Sequence, residues 1–120
     1  MIQDRTILTA TDNSGAKKVR CIKVYKKGRQ ANINDVILVS IQTLKPHAKL
    51  KKGSMHKALV VRTKKEFHRQ DGSLCSFADN AVVLLSTSGK PLGTRVFGPV
   101  TAELREQGHL RIASLADAVV

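Results

Sequence analysis

Aromatic residues are scarce in this 120-residue chain, which has no tryptophan, one tyrosine and three phenylalanines. A core must therefore be built from Val, Ile, Leu and Ala, a composition that suits a small β structure. Two cysteines are too few for a disulfide framework. No apolar run approaches the roughly 20 residues that a membrane-spanning helix needs. We therefore expect one domain over residues 1–120, large enough to form a core of its own.

Acidic residues are the second shortage. The chain has nine Asp and Glu against 21 Lys and Arg, a formal net charge of +12. Residues 16–30 carry seven bases and no acid, and residues 45–69 carry nine bases and one acid. Such charge repels itself in a compact fold, and a polyanionic partner relieves the repulsion. The pattern favours nucleic acid over an anionic membrane, because no amphipathic helix with a large apolar face is present.

The stretch from 58 to 85 predicts a β-ribbon. Apolar runs at 58–61 and 81–85 flank a basic arm whose midpoint is Asp71-Gly72. Asp-Gly between two extended segments is a strong hairpin signal, because both residues tolerate a positive φ angle. The apolar ends would root the ribbon in a core, and the arm would stay solvated or meet a polyanion.

The remaining apolar runs predict a small barrel. Five core strands are predicted at residues 6–10, 16–25, 35–44, 55–61 and 80–85. In the second strand the alternation slips between Cys21 and Ile22, which indicates a bulge or a barrel corner. In the third strand the nearly continuous apolar run 36–39 predicts burial on both faces. The fold class is therefore mainly β: a five-stranded barrel of the OB or SH3 kind with a projecting ribbon.

The C-terminal third predicts short helices. A short strand at 94–97 should end at Gly98-Pro99. A helix should follow, with Thr101 as N-cap and Gly108 as stop, and a further helical turn should begin at Ser114.

No pattern of catalytic, cofactor-binding or metal-binding residues emerges. The four histidines are scattered, and none has metal-ligand spacing from Cys21 or Cys75. The carboxylates show no pairing typical of general acid–base work. We therefore expect no enzyme, no cofactor and no metal. The one enzymatic alternative is a small hydrolase that uses Cys75 with His68.

Several motifs along the chain are shared with one known family. They are Asp12-Asn13-Ser14-Gly15-Ala16, Cys21-Ile22-Lys23-Val24, Ala58-Leu59-Val60-Val61, Asp71-Gly72, Gly93-Thr94-Arg95-Val96-Phe97-Gly98-Pro99-Val100 and Ile112-Ala113-Ser114-Leu115-Ala116. In these motifs the chain resembles, essentially end to end, large-subunit ribosomal protein L-fourteen of the bacterial or organellar type. Asn34 stands where that family commonly has glycine.

The resemblance implies a structural constituent of the large ribosomal subunit. It implies binding to large-subunit rRNA and a contribution to an intersubunit bridge with small-subunit rRNA. It also implies contacts with ribosomal proteins of the L-three and L-nineteen families, and docking of a ribosome-silencing factor. The implied location is the ribosome of a bacterial cytoplasm, a plastid or a mitochondrion.

The candidate RNA contacts are drawn from the bases of the two acid-poor clusters. The first cluster contributes Lys17, Lys18, Arg20, Lys23, Lys26, Lys27 and Arg29, and the second contributes Lys45, Lys49, Lys51, Lys52, Arg62, Lys64, Lys65 and Arg69. The candidate protein or bridge contacts are Thr94, Arg95, Phe97 and Arg105. The scarcity of aromatics favours contact with phosphates and RNA shape over base stacking. The alternative binding hypothesis, a free-standing OB-like chaperone or translation factor, predicts exposed stacking aromatics.

Overall fold

A computed structural model describes residues 2–3, 5–25, 30–46, 48, 50–68, 72–77, 79–102, 104 and 110–119. In chain order its elements are β1 (Ile7–Ala10), β2 (Ala16–Val24), β3 (Val36–Leu44), β4 (Met55–Arg62), β5 (Phe67–His68), β6 (Leu74–Cys75), β7 (Ala81–Leu85), β8 (Val96–Val100), α1 (Leu110–Leu115) and β9 (Ala116–Val119). Strands β1, β2, β3, β4 and β7 close into a barrel in that order. The predicted mainly β fold with a five-stranded barrel is confirmed.

Residues 58–61 of β4 and all of β7 form continuous apolar runs because both faces of these segments are covered. In β4, Ala58 and Val60 belong to the core inside the barrel, whereas Leu59 and Val61 belong to a second core outside it. The second core also contains Val96 of β8, and Leu104 and Ile112 from the C-terminal segment. Since successive strand residues point to opposite faces, such a strand cannot alternate in polarity. Each fully buried Val or Leu contributes about 1.5–3 kcal/mol.

Strand β3 is buried less completely than its sequence predicts. Ile37 and Val39 are fully buried, but Val36 and Leu38 are only half-buried. Within the described part of the chain, Leu38 belongs to neither buried core, whereas the outward residues of β4 belong to the second one. The prediction of burial on both faces was therefore too strong.

The predicted bulge in β2 is confirmed. The pairing of β2 with β3 shifts register between Cys21 and Lys23, and it shifts again on both sides of Lys18. A bulge places an additional residue on one strand, so the alternation of inward and outward side chains changes phase there.

The ribbon forms as a short antiparallel pair in which Phe67 lies opposite Cys75 and His68 lies opposite Leu74. Gly72 has a φ angle of 87°, as a tight turn requires. Asp71, the other half of the predicted turn, lies outside the described residues.

Two predictions for the C-terminal part were wrong. Strand β8 continues through Gly98-Pro99 to Val100, because a register shift against β9 accommodates the proline, which faces Ala118. The helix α1 begins at Leu110, so Ser114 lies inside it. The sequence also did not predict β9, which pairs in parallel with β8. Of the helix predicted from Thr101 to Gly108, Leu104 is helical, and residues 103 and 105–108 lie outside the described part.

Asn34 occupies a left-handed backbone position, with a φ angle of 69°. Asparagine is among the few residues other than glycine that adopt this conformation readily. Its backbone N–H donates to the carbonyl of Val60 at 2.6 Å, and its buried side chain contacts the hydroxyl of Thr101 at 3.3 Å. The asparagine therefore meets the backbone requirement and adds a link between the barrel and the segment after β8.

Candidate nucleic-acid interface

The outer face of β2 is the most cationic surface of the barrel. Lys17, Lys18, Arg20 and Lys23 are all exposed, while Val19 and Cys21 between them are fully buried. The bulges explain why two consecutive lysines can both face solvent. The face arises because basic residues alternate with apolar ones along β2, and successive side chains of a strand point to opposite sides.

The neighbours of these bases in adjacent strands are neutral. Lys18 lies between Thr9 of β1 and Thr43 of β3, and Arg20 lies between Ile7 and Ser40 in the same two strands. None of the five barrel strands contains Asp or Glu. Cross-strand ion pairs, the usual way for a sheet surface to compensate charge, are therefore impossible within the barrel wall.

A basic turn between β3 and β4 adjoins this face. Lys45, Lys51 and Lys52 are exposed there. The turn is fastened by hydrogen bonds: the Lys45 N–H donates to Gly15 O at 2.8 Å, and the Ser54 hydroxyl donates to Lys51 O at 2.6 Å. Lys51 and Lys52 are thus presented on an ordered turn. Lys49 lies outside the described residues, as do Lys26, Lys27 and Arg29 of the first cluster.

The base of the ribbon presents Lys64 and Lys65, both exposed. The Lys64 N–H donates to Asn80 Oδ1 at 2.9 Å, and the Thr63 hydroxyl donates to Lys65 O at 3.1 Å. These bonds fix the backbone from which the two lysine side chains project. Arg69, the remaining base predicted for the ribbon, lies outside the described residues.

Arg62 differs from every other described candidate, because its side chain points into the protein and is only 10% exposed. Its guanidinium donates to the hydroxyl of Thr11 at 2.9 Å and to the carbonyl of Phe97 at 3.1 Å. Its Nη2 also donates to Asp79 Oδ2 at 3.3 Å, and its Nε lies 3.1 Å from Asp79 Oδ1 as an ion pair. These contacts engage the guanidinium within the fold, so Arg62 is not part of the candidate interface.

Asp12 and Asn13, which follow β1, hold two distant segments of the chain. Asp12 is fully buried and accepts hydrogen bonds from the Leu84 N–H at 3.1 Å and the Ser14 hydroxyl at 2.7 Å. Burial raises the pKa of its carboxyl above the ordinary value, although these hydrogen bonds oppose the rise. No local sequence signal marks this role, since the partner strand is 72 residues away.

Asn13 positions the candidate protein-contact loop. Its Oδ1 accepts from the N–H groups of Thr94 at 2.7 Å and Arg95 at 2.9 Å. Thr94 and Arg95 are exposed on this held loop. Phe97 is 41% exposed, and the Lys45 ammonium lies 5.4 Å from its ring centroid. Arg105, the fourth predicted contact, lies outside the described residues.

The described residues contain no group of three or more His, Cys, Asp or Glu side chains that could hold a metal ion. In the same part of the chain, no helix has the length and hydropathy needed to cross a bilayer. The side chains of His68 and Cys75, the hypothetical hydrolase pair, lie outside the described set.

A closed barrel with an acid-free wall and three exposed basic surfaces defines a protein suited to a polyanionic partner. The family described as ribosomal protein L14p/L23e matches residues 1–120, which is the whole chain. The chain therefore belongs to the L14p/L23e family of ribosomal proteins. This is a family of structural proteins of the large ribosomal subunit and not of enzymes, which argues against both the hydrolase and the free-standing factor.

Proposed function

We propose that this protein binds large-subunit rRNA through the outer face of β2, the basic turn 45–53 and the base of the ribbon. The observation that carries the proposal is the barrel wall without acids, on which β2 exposes Lys17, Lys18, Arg20 and Lys23 beside neutral residues. Lysine and arginine would neutralise RNA phosphates and release counterions. Because the bases stand on paired strands and fastened turns, they would hold the local shape of folded RNA.

A second part of the proposal concerns the exposed loop that Asn13 holds. We assign Thr94 and Arg95, with Phe97 beside them, to contacts at an intersubunit bridge with small-subunit rRNA or with neighbouring ribosomal proteins. The L-three and L-nineteen families and a ribosome-silencing factor are the partners that the resemblance implies. The supporting observation is that the loop is exposed and also fixed by three hydrogen bonds from one side chain.

The rRNA proposal is tested by a charge reversal on β2 against a matched reversal elsewhere. Lys18→Glu and Lys90→Glu change the net charge equally, and both residues are exposed. We expect Lys18→Glu to weaken binding to a large-subunit rRNA fragment by about tenfold or more and to reduce the salt dependence of log K by roughly 0.7–0.9 per lost contact. Lys90→Glu should leave both nearly unchanged. Equal losses in the two variants would show that only net charge matters, and would contradict the assigned surface.

The ribbon is tested in cells. The double substitution Lys64→Glu/Lys65→Glu should impair incorporation of the protein into large subunits, measured on sucrose gradients, with Lys90→Glu as control. Normal incorporation together with normal subunit joining would remove the ribbon from the proposal.

A further inference from the structure

Tyr25, immediately after β2, is an aromatic residue that the core does not use. Its side chain is 49% exposed, and it is the single tyrosine of a chain without tryptophan. The Lys23 ammonium lies 5.6 Å from the ring centroid and the Lys57 ammonium lies 6.0 Å from it. One exposed ring is therefore flanked by two cations from different strands.

The strand register explains how two cations meet at this ring. Lys23 of β2 and Lys57 of β4 both lie opposite Leu38 of β3, so the three residues form a row across the barrel wall. Tyr25 follows Lys23 by two residues and so lies on the same side of the chain. Val24 between them packs against the barrel core instead. Packing in the core thus does not account for the position of the ring.

Cation–π attraction alone is a weak reason for such a cluster. At exposed sites it is smaller than the stacking of a nucleobase on an aromatic ring. A base that reached the ring could therefore displace either ammonium group. The displaced lysine would remain close enough to meet the phosphates on either side of that base.

We propose that Tyr25 is a stacking platform for one unpaired base of the bound RNA, with Lys23 and Lys57 on the flanking phosphates. The proposal rests on the rRNA-binding function and deepens it, because it names the structural feature of the RNA that this part of the surface binds. Bases inside a duplex already stack on each other, so the ligand would be a bulge, a loop or a single-stranded end. The rest of the surface would still contact phosphates and recognise the shape of the folded RNA.

The test uses the purified full chain and two blunt-ended RNA hairpins with stems of equal length, each closed by a non-nucleotide linker so that neither has unpaired loop bases. One hairpin carries a bulged 2-aminopurine, and the other is fully paired. Because Tyr25 is the only tyrosine, its emission reports this site alone. We expect the bulged RNA to quench Tyr25 emission and 2-aminopurine emission together, and the paired RNA to leave Tyr25 emission largely unchanged.

Two substitutions separate stacking from charge. Tyr25→Leu should weaken binding of the bulged hairpin by about five- to a hundredfold and leave the paired hairpin unaffected. Tyr25→Phe keeps the ring and should retain the preference for the bulge, with 2-aminopurine emission as the readout. Far-UV circular dichroism confirms the fold of each variant.

The outcomes also distinguish failure of the stacking platform from failure of the rRNA-binding proposal. If wild type binds both hairpins in a salt-dependent manner but Tyr25→Leu binds the bulge as tightly, the platform is wrong and the rRNA-binding proposal stands. Equal loss on both hairpins, or unchanged Tyr25 emission in the saturated bulge complex, would likewise overturn the platform. If wild type binds neither RNA at low ionic strength, the rRNA-binding proposal fails, and the platform fails with it.

Discussion

Two arginines of the barrel wall show how one residue type serves opposite purposes. Arg20 in β2 is exposed between Ile7 and Ser40, and nothing in either neighbouring strand offers it a carboxylate. Arg62, the last residue of β4, is buried and contacts Thr11, Phe97 and Asp79. The first arginine is available to a partner, and the second is committed to the fold.

The difference comes from what lies outside each strand. Strand β8 covers the outer side of β4, so a base at that position must find partners inside the protein or suffer the cost of burial. The Phe97 N–H donates to Thr11 O at 2.6 Å, and Arg62 joins the same two residues through their side-chain and main-chain oxygens. Arg62 therefore fastens the C-terminal segment to the barrel, whereas none of the described residues buries the bases on the outer side of β2.

The largest effect on stability should follow from replacing the buried arginine by alanine. Arg62→Ala removes the guanidinium from Asp79, from the Thr11 hydroxyl and from the Phe97 carbonyl, which keeps its bond from the Thr11 hydroxyl. We expect a loss of about 2–3 kcal/mol in the free energy of unfolding. The loss is smaller than for a fully buried pair because the Asp79 side chain is 42% exposed. The matched control Arg20→Ala should change stability by less than about 0.5 kcal/mol and weaken RNA binding instead.

Urea unfolding of both variants checks the expected difference in stability, and RNA titration checks the expected difference in binding. Comparable stability losses for Arg62→Ala and Arg20→Ala would show that the two positions are not different in kind.

The next effect concerns Gly98, whose backbone has a φ angle of 79°. A Cβ at this position would collide with Nη1 of Arg62. We expect Gly98→Ala to cost about 2 kcal/mol, part from the left-handed backbone and part from displacing the guanidinium. In an Arg62→Ala background only the backbone part should remain, so the two losses should not add. Additive unfolding free energies in the double-mutant cycle would contradict the packing of Arg62 on Gly98.

A smaller effect should appear at Asp12 as a dependence on pH. Burial raises the pKa of this carboxyl in the folded state above the ordinary value of 3.8. Between the unfolded and the folded pKa the native state binds more protons, so its stability rises as pH falls through that window and is flat above it. Asp12→Asn removes the titration and should lie within about 1 kcal/mol of wild type at neutral pH, because Asn can still accept from the Leu84 N–H.

The measurement for Asp12 is the unfolding free energy of wild type minus that of Asp12→Asn, followed from pH 7 downward. The difference should move in favour of wild type as pH approaches 3.8. A movement in favour of Asp12→Asn would show that the hydrogen bonds, rather than burial, control this carboxyl.

The barrel and its cationic face could be predicted because their signals are local. The apolar runs at 58–61 and 81–85 mark strands buried on both faces, and the alternation around Val19 marks a strand buried on one. The slip at Cys21 marks a bulge that the register confirms. In each case the residues that decide the structure lie within one strand.

What the sequence did not reveal depends on contacts between distant segments. Arg62 looks like any other base of its cluster, and its burial is decided by Phe97, 35 residues later. Gly98-Pro99 is typical of a strand end, yet pairing with β9 carries the strand through it. Strand β9 itself is four residues long and follows directly on a helix, so it has no flanking turn signal. The exposed arginine was therefore predictable, and the buried one was not.

The smallest effects should come from single lysines of the exposed surface, and they test whether that surface acts as a sum of independent contacts. Lys18→Gln and Lys51→Gln should each change the free energy of unfolding by less than about 0.5 kcal/mol. Each should lower the salt dependence of log K for rRNA by roughly 0.7–0.9, and the double variant by roughly twice that. Since Lys18 lies on β2 and Lys51 on the following basic turn, additivity is expected for contacts without a shared partner. Strongly non-additive binding would mean that the two surfaces hold the RNA cooperatively, just as Arg62 and Gly98 are expected to be coupled in stability.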